Sequence, residues 1–340
     1  MITIGEIAKL AGVSKTTVSR VLNDKPDVSH TTSDRIKRII QDTGYTPNAF
    51  AKAINDKKTH TIGLVIPYTA SYIFTSQYFS ELLRGISSDV DERTYHLMLC
   101  YPKNGNCAEI FKEGRVDGFI VITPSLDQTR VLDELQAVDA PYIMTSKLPG
   151  YMENSVAYVD IDERGAARQV IEHLIGLGHR RISCVGETQS VSSQERVAEY
   201  RKCLEEQGIP YREEYARLSG DSTLPEGGYE MARDLMNLPE PPTAIFCCAD
   251  MLAIGVYKAL YTLGVRIPQD VSVVGFDDIF MCQYLNPPLT TVHQSAYDRG
   301  RMVAEKLINY LETGTFGEQT ILDTYLQLRS STDVLNDHRE

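Results

Sequence analysis

The sequence predicts an α/β protein: a helix-turn-helix head followed by two doubly wound parallel-sheet lobes. Three observations lead there. Two short amphipathic helix patterns near the start are joined by a glycine and followed by a third. From Thr61 onward, short apolar runs alternate with amphipathic stretches, the pattern of parallel strands covered by helices. Charge is also unevenly placed. The formal net charge of the 340 residues is -12, yet residues 1–60 hold ten Lys/Arg against six carboxylates, giving +4 there and -16 beyond. A basic head on an acidic body can bind a polyanion without the body adhering to it.

The first helix opens at Thr3, with Glu6 three positions on, the pattern of a capping box. Ile4, Ile7, Ala8 and Ala11 form its apolar stripe, and Gly12-Val13 make the turn. Ser14 is the expected N-cap of the second helix, whose Val18, Val21 and Leu22 share one buried stripe. The opposite face carries Lys15, Thr16, Thr17, Ser19 and Arg20, basic and hydroxyl-rich without a carboxylate, as a helix facing phosphates and base edges requires. Ser29 or Thr31 caps a third helix containing Ile36, Ile39 and Ile40, and Gly44 suits its end. Together these form a helix-turn-helix unit.

An alanine-rich segment, 48–55, follows Pro47 and is about two turns long, too short to hold as a lone helix in water. It reads either as a linker or as a hinge helix that folds on DNA. Strands are then expected at 62–66, 95–100, 118–122, 142–145, 156–160, 182–186, 244–248 and 271–276. Helices are expected at 78–92, 127–138, 163–177, 194–207, 225–237, 251–263 and 297–311. The expected organisation is a head at 1–47, a hinge and linker at 48–60, one lobe from 61–161 and 293–320, and a second from 162–292 and 321–335.

Several classes of function find no support. No GxGxxG or GxxxxGK[ST] offers a nucleotide cradle, so no cofactor is expected. The seven histidines lack HxxxH or HExxH spacing and no metal site is expected; the seven cysteines lack a CxxC pair and read as buried free thiols. No N-terminal apolar run or 18-residue apolar span is present, so neither export nor membrane insertion is expected. Carboxylate pairs occur at Asp160/Asp162 and Asp277/Asp278, but with no nucleophile and base beside them no catalytic residue is assigned.

The run TIGEIAKLAGVSKTTVSRVLN, the following TGYTPNAFAKAI, the later EHLIGLGHRRISCVG, and TAIFCCADMLAIGVYKALYTLGVRIPQDVSVVGFDD with PPLTTV after it strongly resemble the LacI/GalR family of bacterial transcriptional regulators. The motifs cover nearly the whole chain in order. The resemblance implies a hinge helix and a periplasmic-binding-protein-like core. It also implies a homodimer on double-stranded operator DNA, and a small carbohydrate or sugar phosphate effector between the lobes. The expected location is the bacterial cytoplasm, in association with the nucleoid. By position, Lys15, Thr16 and Arg20 would face base edges, with Arg20 gripping guanine, while Ser14, Thr17, Ser19 and Asn23 would hold the phosphate backbone. Ala51 and Ile54 would enter the minor groove at the operator centre.

For the effector, the resemblance implies Arg196 as a fork on ligand oxygens and Asp277 as acceptor for sugar hydroxyls, with Ser146 and Asp250 at neighbouring cleft positions. Ala249 stands where many relatives carry asparagine. Tyr72 and Phe74, in the aromatic-rich loop after the first core strand, are expected to stack on the sugar ring, and Tyr78 and Phe79 to sit in helix core. The reading is a sugar-controlled repressor; the alternative is a cytoplasmic sugar-binding or sugar-modifying protein on the same scaffold.

Overall fold

The computed structural model describes residues 2–22, 24–45, 58–66, 70–102, 106–122, 129–148, 157–219 and 224–335. The chain divides into two compact units, Met1–Thr59 and His60–Glu340. In the first, α1 (Ile4–Ala11), α2 (Lys15–Leu22) and α3 (His30–Thr43) close on Ile7, Ala8, Ala11, Val18, Val21 and Ile36. The expected caps are present. Thr3 and Glu6 complete a capping box, and Ser14 Oγ accepts from the Thr17 amide at 3.1 Å. Ser29 caps α3, while Gly12 and Gly44 adopt the left-handed conformation at φ 63° and 61° that ends α1 and α3. Leu22, expected on the buried stripe, is only half-buried. Asn23, Ala51 and Ile54, and with them most of the expected hinge, lie outside the described residues.

The second unit contains two sheets of six described strands each. One is built from β1 (Thr61–Val65), β2 (His96–Cys100), β3 (Gly118–Val121), β4 (Tyr142–Met144), β5 (Ala157–Ile161) and β11 (Thr320–Leu322), in the order β11-β5-β4-β3-β1-β2, all parallel. The other holds β6 (Ile182–Glu187), β7 (Ala216–Ser219), β8 (Ala244–Cys247), β9 (Ser272–Asp277), β10 (Thr290–His293) and β12 (Tyr325–Gln327), in the order β12-β10-β9-β8-β6-β7. Its β12 runs antiparallel to β10. The strands β7, β10, β11 and β12 were not expected from sequence, because three or four residues at or near an edge carry no legible period.

Helices cover both sheets: α4 (Ala70–Thr75), α5 (Gln77–Glu92), α6 (Cys107–Lys112), α7 (Arg130–Gln136) and α12 (Ala296–Thr313) with the first, α8 (Glu163–Gly176), α9 (Val191–Glu206), α10 (Pro225–Met236) and α11 (Asp250–Leu263) with the second. The chain crosses between lobes three times: between β5 and α8, between β10 and α12, and between β11 and β12. Three crossings give the lobes a shared axis, and the carboxyl ends of β3, β4, β6, β8 and β9 meet the space between them.

Close packing of α10 on α11 depends on glycine. A Cβ at Gly255 would overlap the Pro225 carbonyl oxygen, and one at Gly228 the Leu252 carbonyl. Both obstacles are backbone, which cannot swing aside. Gly255→Ala is therefore expected to destabilise the core by about 1–3 kcal/mol, read from urea denaturation. His179, in the GLGH stretch, is buried between Thr243 Oγ1 and Ser272 Oγ, each at 3.0 Å, so this family-like motif serves the fold. Among the described residues no helix is long and apolar enough to cross a membrane.

Candidate DNA-reading face and ligand cleft

In the head, Val18 and Val21 turn α2 so that Ser14, Lys15, Thr16 and Arg20 are exposed, with Thr17 and Ser19 half-buried at the margin. Lys15 lies along Gly5 of α1, where a larger residue would push it aside. Arg20 is paired with Asp27 at 2.6 Å, both half-exposed. A surface pair of this kind is worth about 0–1 kcal/mol, so it orders the guanidinium at little cost to exchange for another acceptor.

In the core, a cleft of about 850 Å³, its open mouth included, separates the lobes. Ser146, Arg196 and Asp277 meet around it. Arg196 is almost fully buried on α9 and stacks on the Phe276 ring, 3.3 Å from its centroid. Its Nε and Nη2 each lie 2.7 Å from Glu163 Oε2, and its Nη1 donates to the Cys248 carbonyl at 2.5 Å. A guanidinium carries five N–H groups, and the contacts to Glu163 and Cys248 engage at most three of them.

Asp277 ends β9 in a strained turn: Asp277 and Asp278 have φ of 123° and 56°, values that non-glycine residues rarely adopt. The turn sends the two carboxylates apart. Asp278 accepts from Arg329 at 2.6 Å and His293 at 2.9 Å, while Asp277 faces the cleft and accepts from Gln294 Nε2 at 2.6 Å. Gln294 in turn accepts from Arg299, which donates to the Tyr78 hydroxyl, each at 3.0 Å. This chain of bonds links β9 of one lobe to α12 and α5 of the other. Burial, then the nearby Asp250, raise the Asp277 pKa from 3.8 to about 8, outweighing Arg196. The folded state thus holds a proton that the unfolded state releases, and stability falls as pH rises from about 4 to 8. Asp277→Asn removes this dependence: its stability advantage over the native chain should grow between pH 5 and pH 8 in urea denaturation.

Two expectations for the cleft are corrected. Asp250 does not line it: the carboxylate is fully buried and accepts from the Ile279 amide, Thr291 Oγ1 and Cys282 Sγ at 3.0, 2.7 and 3.0 Å. It ties the start of α11 to β10 and to the 3-10 turn Phe280–Tyr284, and its neighbours Cys248, Ala249 and Met251 reach the cleft instead. Phe74 is also outside. Helix α4 buries Ile73, and a rotation of about 100° per residue turns Phe74 to solvent, where it is 56% exposed. Tyr72 lies on the same helix, its side chain outside the described part of the structure. Tyr78 and Phe79 pack against the core as expected and also line the cleft, their rings edge to face at 5.3 Å.

Sequence reasoning missed Glu163, Gln294 and Arg299. Glu163 reads in sequence as an acid in a helix's first turn, and nothing in its spacing points to Arg196, 33 positions on. A basic, exposed reading helix in one unit and a polar two-lobed cleft in the other define a ligand-controlled DNA-binding regulator. The chain belongs to the LacI family of bacterial regulatory proteins. The family model "Bacterial regulatory proteins, lacI family" matches residues 3–48, and "Periplasmic binding protein-like domain" matches residues 171–332. The HTH-type transcriptional regulator CelR of Thermobifida fusca is 32% identical over 338 residues, 97% of this chain and 98% of that protein. Among solved structures, the CelR-cellobiose complex matches with TM-score 0.75 at 29% identity, over 97% of this chain and 100% of that one. The Lac repressor dimer bound to operator and the anti-inducer ONPF matches with TM-score 0.85 at 25% identity, over 98% of this chain and 99% of that one.

Proposed function

We propose that this protein is a cytoplasmic, homodimeric repressor of sugar-utilisation genes, released from or held on its operator by a carbohydrate in the interlobe cleft. The observation that carries the reading is the cleft itself: a guanidinium fork with N–H groups to offer, a carboxyl group, serines and two aromatic rings converge on one cavity. Sugar hydroxyls donate and accept at once, and pyranose C–H faces lie well on rings, so each wall has a partner on one ligand. The relative crystallised with cellobiose supports the ligand class. In the head, Arg20 and Lys15 with Thr16 are assigned to base edges, and Ser14, Thr17, Ser19 and Asn23 to phosphates. Ala51 and Ile54 are assigned to the minor groove.

Binding would act through its unequal affinity for two lobe arrangements, which in turn bias the heads on DNA. A thermal-shift series on the full chain tests the ligand class. At least one neutral mono- or disaccharide is expected to raise the melting temperature in proportion to the logarithm of its concentration above Kd. A series in which no sugar does so contradicts the proposal.

A further inference from the structure

The cleft's charge is set by one residue that no motif indicates. Four charged side chains line it, Glu163 and Glu187 against Arg196 and Arg299, beside the Asp277 carboxyl, which burial keeps protonated near neutral pH. Neither cation stands alone. Arg196 is held by Glu163 through two nitrogens at 2.7 Å, both groups almost fully buried. Arg299 has the buried Asp160 carboxylate 3.9 Å from Nη2, and donates from Nη2 to Gln294 and from Nη1 to Tyr78. The N-terminus of α9, with Ser190 as its cap, also faces the cleft, but a helix end supplies only about half a positive charge. An anion entering the cleft therefore meets no arginine that a carboxylate does not already offset.

We infer that Glu163 is a specificity-determining residue: by neutralising Arg196 in place, it makes the cleft select uncharged polyhydroxylated ligands and reject phosphorylated or carboxylated sugars. The inference rests on the carbohydrate reading above and narrows it. A neutral hydroxyl can accept from a remaining N–H of Arg196 and donate to Asp277 without meeting net charge. A phosphate or uronate placed on the same fork lies within a few ångströms of the Glu163 carboxylate, in a site partly shielded from water where like charges repel strongly. Glu163→Gln keeps an acceptor for Arg196 and removes the opposing charge, so the guanidinium becomes available to an anion.

Calorimetric titration of the full chain tests this with matched sets: cellobiose, ribose and glucose beside ribose 5-phosphate, glucose 6-phosphate and glucuronate. In the native chain each neutral sugar that binds should do so at least about tenfold more tightly than its charged counterpart. In Glu163→Gln that ratio should shrink by about tenfold or invert, while Glu163→Asp, which keeps the charge, should retain it. A charged sugar binding the native chain as tightly as its neutral parent overturns the inference and leaves the carbohydrate reading intact. An unchanged ratio in a folded Glu163→Gln chain overturns the role of Glu163. If no sugar of either charge binds, the carbohydrate reading falls and the inference with it. The native-chain comparison stands even where a variant does not fold.

Discussion

Arg196→Ala is expected to abolish the response of operator binding to the sugar effector while leaving DNA affinity without effector near its native value. The side chain lines the cleft and has N–H groups beyond those given to Glu163 and Cys248, and the head is a separate compact unit. The same substitution has a second cost. It strands the Glu163 carboxylate in a site where it is 2% exposed, and breaking a buried pair from one side typically costs about 3–5 kcal/mol. Dose-response curves for operator release and urea denaturation of the same preparation separate the two effects. Adding Glu163→Gln to Arg196→Ala should recover stability without recovering the response. A native dose response in Arg196→Ala would remove the residue from ligand binding. Arginine to lysine is not a conservative control, since a lysine cannot bridge Glu163 and a ligand with a planar fork.

The second large effect is expected in the head. Arg20→Ala should lower affinity for the operator by about 1–3 kcal/mol, or roughly 5- to 150-fold, and relax discrimination at one base position. Binding to unrelated DNA should change far less, because its affinity comes from phosphate neutralisation by the whole basic head. Competition titrations at several salt concentrations measure both quantities. Equal loss on operator and unrelated DNA would make Arg20 a phosphate contact. Asp27→Ala provides a complementary test, since it frees Arg20 from its 2.6 Å partner without touching the reading face. It should leave operator affinity unchanged or slightly raised.

What the sequence made legible follows from how local each signal is. Caps and turns depend on a few consecutive residues, so Thr3, Glu6, Ser14, Gly12 and Gly44 could be read directly and stand where expected. The long β-α alternation was readable for the same reason: every central strand is an apolar run bounded by a helix period. Side-chain direction at a helix start is a different matter. Whether Phe74 or Tyr78 faces the cleft depends on where α4 ends and α5 begins, and the break falls at Ser76. Asp250 failed as a cleft residue because its partners, Ile279, Cys282 and Thr291, lie 29 to 41 positions away. Glu163 and the Asp277–Gln294–Arg299–Tyr78 chain were invisible on the same grounds. Their members are far apart in sequence, and the chain from Asp277 to Tyr78 spans both lobes.

A ligand-controlled DNA-binding regulator requires its cleft and its head to be energetically coupled. Coupling is reciprocal for binding free energies, so it can be measured from the sugar's side as well as from the DNA's. A saturating operator fragment, obtained by selection from random duplex DNA on the full chain, is added to a calorimetric titration with a sugar already shown to bind. The sugar's Kd should change by about 5- to 150-fold when operator is present, and operator affinity by the same factor when sugar is present. An identical Kd with and without operator would contradict it.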